Sequence, residues 1–157
     1  MGYGTDPPEG DLRLLVVKGV DAGAEFIVDM LDEELRSAQV TVVSNPAEAF
    51  LELNQGFDVI VADLSSQPDD GLGFVAAVHG AWPGTAVIMV NGRAVRSIAV
   101  AAIDAGAGDY LDKGSYDAPG LVTAVLHGVQ RTRAAARSRH GQELVTSLVA
   151  LVEEPTC

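Results

Sequence analysis

Phe57-Asp58-Val59-Ile60-Val61-Ala62-Asp63-Leu64 runs directly into Ser65-Ser66-Gln67-Pro68-Asp69-Asp70-Gly71. An apolar run without alternation reads as a strand covered on both faces. The Pro, Asp and Gly cluster behind it reads as a loop. Asp63 is therefore delivered to the carboxyl edge of a parallel sheet, where open α/β folds place their sites.

The chain on either side repeats the same rhythm. Strands are expected at Leu12–Val17, Val40–Val43, Phe57–Ala62, Thr85–Val90 and Asp109–Asp112. Helices are expected between them and after the last. Asp21 can cap one from about Ala22 to Arg36, with Phe26, Met30 and Leu31 on its inner face. Asn45-Pro46 starts a second, a cap followed by proline in the first turn, and Gly56 ends it. The third spans Gly71–Ala81 and stops at Pro83-Gly84. The fourth spans Val95–Ala105 and stops at Gly106. The fifth runs from Ala118 to at least Arg137. Five strands alternating with five helices predict a parallel sheet with helices on both faces.

Composition narrows the function. The chain has 157 residues, 48% of them apolar, and a net charge of -12. That length suits one domain with a real core. Its only lysines are Lys18 and Lys113. So acidic a chain, without a basic patch, is a poor partner for nucleic acid or an anionic membrane. The one cysteine, Cys157, excludes an internal disulfide and fits the cytoplasm. No apolar run approaches a membrane span. His79, His127 and His140 are scattered without metal spacing, and no nucleophile–base set stands out.

Residues 1–10 read as a loose tail, 11–138 as the domain and 139–157 as a helical extension. In the extension, Leu144, Val145, Leu148, Val149, Leu151 and Val152 recur at helical spacing. The stripe either continues the fifth helix or forms a short extra one. It either packs on its own domain or contributes to a homodimer, in which Arg131, Arg133, Arg137 and Arg139 could meet acids of a second subunit.

From about Leu12 to Arg137 the chain resembles the receiver domain of bacterial response regulators. Leu14-Leu15-Val16-Val17, the run from Phe57 to Leu64, the Pro68…Gly71 loop and Ala105-Gly106-Ala107-Gly108-Asp109-Tyr110-Leu111-Asp112-Lys113 carry the likeness. It implies a flavodoxin-like, doubly wound five-stranded parallel sheet of order 2-1-3-4-5, here with an extended C-terminal helical segment. It implies two-component signalling rather than enzymatic turnover, with a histidine kinase or downstream effector as partner. Asp63 falls on the phosphate-accepting aspartate, and Lys113 on the lysine that pairs with the phosphoryl oxygens. Asn91 falls where the family has Thr or Ser, and Tyr110 on the switch aromatic. Arg96, Tyr110 and Gln130 fall on the face of the fourth helix, fifth strand and fifth helix, which the family uses for dimers and partners.

Two departures stand out. Lys18 and Gly19 occupy the positions where the family has two acids that hold magnesium, and the loop from Asp63 to Pro68 is one residue longer than usual. Magnesium wants a near-octahedral oxygen shell with carboxylates supplying charge. Asp63 alone remains of the usual set, so no tight magnesium site is expected and no cofactor is implied. Lys18, Lys113 or both are expected within reach of Asp63. Asp21, Asp69 and Asp70 could lend carboxylates from nearby loops, although Asp21 suits a helix cap better. Three readings stay open: an interaction module independent of magnesium-dependent phosphorylation, a phosphorylatable regulator with an altered pocket around Asp63, and an α/β protein or enzyme that holds a small anion near Lys18, Asn91 and Lys113.

Overall fold

The computed structural model describes residues 12–18, 23–64, 71–91, 96–112 and 117–153. Its elements are β1 (Arg13–Val17), α1 (Gly23–Glu34), β2 (Gln39–Val43), α2 (Pro46–Glu52) with a 3-10 turn (Leu53–Gln55), β3 (Val59–Asp63), α3 (Leu72–Ala81), β4 (Ala86–Asn91), α4 (Arg96–Ala105), β5 (Asp109–Asp112) and α5 (Ala118–Glu153). The strands form one parallel sheet in the order β2-β1-β3-β4-β5. This is the expected doubly wound arrangement.

Alternation along the strands divides the core in two. Leu15, Val17, Ile60, Ala62, Val87 and Met89 face α2, α3 and α4, and meet Ala49, Phe74, Val75, Val78 and Ala102. Leu14, Val16, Val59, Val61, Ile88 and Val90 face α1 and α5, and meet Ile27, Met30, Leu31, Leu121, Val125 and Val129. Met30 and Leu31 lie on the inner face of α1 as expected; the side chain of Phe26 lies outside the described residues.

Local chemistry sets the helix ends. Asn45 caps α2, its Oδ1 accepting the Glu48 N–H at 2.9 Å. Glu48 reaches back to accept the Ser44 N–H at 2.7 Å, a close relative of the capping box. α4 ends in a Schellman turn: the Gly106 N–H donates to Ile103 and the Ala107 N–H to Ala102. Gly106 has φ 117°, and a Cβ there would stand 2.4 Å from Cγ of His79.

α5 answers one open question. It is a single helix of 36 residues, so the C-terminal stripe continues it. Two arginines tie it to the sheet. An Nη of Arg131 donates to the Gly108 carbonyl, and Arg133 pairs with Asp58 at 3.0 Å. Both contacts lie within the chain.

Candidate functional site

Asp63 is the last residue of β3, and only 3% of it is exposed. Its neighbours follow from register. Val17 pairs with Ala62, so Lys18, the next residue after β1, stands level with Asp63. On the other side Asp63 pairs with Val90, and Asn91 closes β4 opposite Asp112. Paired residues of parallel strands point to the same side of a sheet. Val90 belongs to the layer beneath α1 and α5, so Asp63 and Lys18 share that side.

The Lys18 side chain is exposed, and its backbone N–H donates to the Val43 carbonyl at 3.0 Å. A long aliphatic stem can leave the sheet edge while its ammonium stays in water. Lys18 is thus an exposed residue level with Asp63. Lys113, Gly19, Asp21, Asp69 and Asp70 lie outside the described residues.

The loop after Asp63 is anchored at both ends. Leu64 is 1% exposed, and Gly71 returns against it with φ 81°. A Cβ on Gly71 would stand 2.4 Å from Cβ of Leu64. Only glycine permits both that backbone and that approach. The close packing holds the start of α3 next to the end of β3.

A second region lies along α4, β5 and α5. Arg96 opens α4 and is exposed. Tyr110, in β5, is half-buried and packs toward Met89 and Ala107 in the α3–α4 layer. Gln130, in α5, is half-buried beside Arg131, whose guanidinium holds the residue just before β5. The structure adds Val100 and Ile103, two apolar residues exposed on α4. With Ala102 buried against the sheet, helical phase carries Val100 and Ile103 outward, and that phase was the signal in the sequence.

Of the two positions where the receiver pattern places acids for magnesium, Lys18 is the one among the described residues. Level with Asp63, the position after β1 carries an ammonium-bearing side chain where a carboxylate oxygen would be required. Among the described residues, no three His, Cys, Asp or Glu side chains gather into a metal-holding group.

The response regulator receiver domain, as a sequence family, matches residues 14–126. The chain belongs to the response regulator receiver family. The signal receiver domain of the putative response regulator NarL from Mycobacterium tuberculosis is similar to it, with 25% identity and a TM-score of 0.66 over 77% of this chain and 98% of that one. A CheY-like receiver protein from Methanospirillum hungatei JF-1 superposes with a TM-score of 0.69 at 20% identity, over 80% of this chain and 99% of that one. The receiver domain of a putative Luxo repressor protein from Vibrio parahaemolyticus gives 0.67 at 21%, over 82% and 97%. No curated protein matches the sequence. Receiver domains are signalling modules that work through protein partners. No helix among this receiver's described residues is long and apolar enough to cross a membrane.

Proposed function

We propose that this receiver is a protein-interaction module in two-component signalling whose state does not depend on ordinary magnesium-dependent phosphorylation of Asp63. The observation that supports this reading is the placement of Lys18 level with Asp63 on the same side of the sheet. Phosphoryl transfer to a carboxylate is mostly positioning and charge neutralisation, commonly by a metal ion between carboxylates and phosphoryl oxygens. A lysine in that position supplies positive charge without a metal, and with it a fixed attraction for Asp63. At about 4 Å and an effective dielectric near 20, two unit charges attract by about 4 kcal/mol; solvation of the exposed ammonium reduces this strongly. The contact face would be that of α4, β5 and α5, with Arg96, Val100, Ile103, Tyr110 and Gln130.

The test is incubation with a small-molecule phosphoryl donor and magnesium, read by intact mass. The expected result is no phosphoryl adduct. A stoichiometric adduct that disappears in Asp63→Asn would instead make Asp63 a working acceptor in an altered pocket.

A further inference from the structure

The neck of α5, where the helix leaves the sheet, is held from two opposite sides. Leu121, Ala124, Val125, Gly128 and Val129 are buried against the strands. At about 100° per residue these positions cover roughly 140° of the helix surface. Arg131 falls about 20° outside one border of that face, and Arg133 about 40° outside the other. Their partners are opposed as well. An Nη of Arg131 donates to the Gly108 carbonyl, just before β5, and Arg133 pairs with Asp58, just before β3. β4 lies between those two strands.

Between the two arginine contacts the helix rests on β4. A Cβ on Gly128 would stand 2.9 Å from Cδ1 of Ile88 and 3.4 Å from Cβ of Ala86. Glycine thus lets the helix backbone lie directly on that strand. Past the neck the support ends. Ala134 to Ser138 are all exposed, and roughly 30 Å of helix follows Arg133. A helix pivoted near its last point of support turns a small rotation there into a large displacement of its tip. With the pivot at Gly128, Ser147 lies roughly 28 Å away along the axis, so a rotation of about 10° carries it about 5 Å.

Two contacts on one side would only pin the helix. Two contacts on opposite sides of a pivot set its angle. We infer that α5 is a steered arm, in which Gly128 is the pivot and Arg131 and Arg133 are opposed positioning residues that fix the heading of residues 134–153. Each guanidinium draws the neck toward its own strand, and the heading is the balance of the two. The end on Asp58 is firm, because Oδ2 of the same carboxylate accepts the Arg13 N–H at 2.9 Å. The end on Gly108 is firm because that residue packs against the pivot: a Cβ on Gly108 would stand 3.7 Å from Cα of Gly128. The heading of the arm is thus a joint property of β3, the strand that ends in Asp63, and β5, the strand that carries Tyr110.

Spin-label distances in a Cys157→Ser background test this. One label is placed at Ser147→Cys in the arm and the other at Glu33→Cys in α1, which packs beside α5 on the β1 side. Doubly labelled protein is diluted with unlabelled chain, so that distances within one molecule are read. Arg133→Met and Arg131→Met keep an aliphatic stem and remove the guanidinium. Arg133→Met should let the arm swing toward β5 and lengthen the mean distance by about 3 Å or more; Arg131→Met should shorten it by a similar amount. Arg133→Lys, which keeps a cation for Asp58, should shift it less than Arg133→Met. Urea melts of the variants should stay close to that of the parent chain, which separates a change of heading from a loss of fold. Unchanged mean distances, a shift in only one of the two Met variants, or shifts of the same sign in both would overturn the inference.

Discussion

Arg133 lies 3.0 Å from Oδ1 of Asp58, while Oδ2 of the same carboxylate accepts the Arg13 N–H at 2.9 Å. One side chain thus joins α5, β3 and β1. The two side chains of the ion pair are 32% and 29% exposed, so water screens much of the Coulomb attraction. Arg133→Ala should cost less than about 1 kcal/mol. Asp58→Ala also leaves the Arg13 N–H without its acceptor and should cost about 1–3 kcal/mol. Urea unfolding of both variants checks the order.

Gly106→Ala combines a forbidden backbone with a steric clash. Its φ is 117°, and the new Cβ would meet the His79 ring. A loss of about 1–3 kcal/mol is expected. Adding His79→Ala should recover the part due to the clash and leave the part due to the backbone. A double-mutant cycle separates the two.

At Asn45 the side chain is an ordinary helix cap. Asn45→Ala should lower stability by about 1 kcal/mol, and Asn45→Asp should nearly preserve it. Thermal unfolding of the two variants distinguishes capping from any other role for this amide.

Restoring acids to the edge of β1 should restore a metal response. The double substitution Lys18→Asp and Gly19→Asp puts one carboxylate level with Asp63 and a second next to it in sequence. Saturable magnesium binding by calorimetry is expected in that variant and not in the parent chain. Binding of equal strength in both would show that Lys18 has no bearing on the site.

Much of the fold was legible because its signals are local. β3 and β4 are continuous apolar runs, Asn45-Pro46 starts a helix, and Gly106 stops one. The contacts of α5 were less so. The partner of Arg133 lies 75 residues away, and that of Arg131 lies 23 away, a separation invisible to periodicity. Whether the C-terminal stripe continued the fifth helix was open for another reason: a glycine, Gly141, lies between them, and glycine both ends helices and sits within them at modest cost. In the candidate site, the burial of Asp63 followed from the strand that carries it. The exposure of Lys18 did not, because a flexible side chain at a sheet edge is placed by solvation rather than by local pattern.

The continuity of α5 gives the module two poles. Asp63 stands at the carboxyl end of the sheet, and Arg131 and Arg133 release the helix at the amino end. A partner seated over the acid and one gripping the helix tip would therefore stand at least the length of a strand apart. Their footprints need not overlap, so occupancy at one pole would not by itself evict a partner from the other.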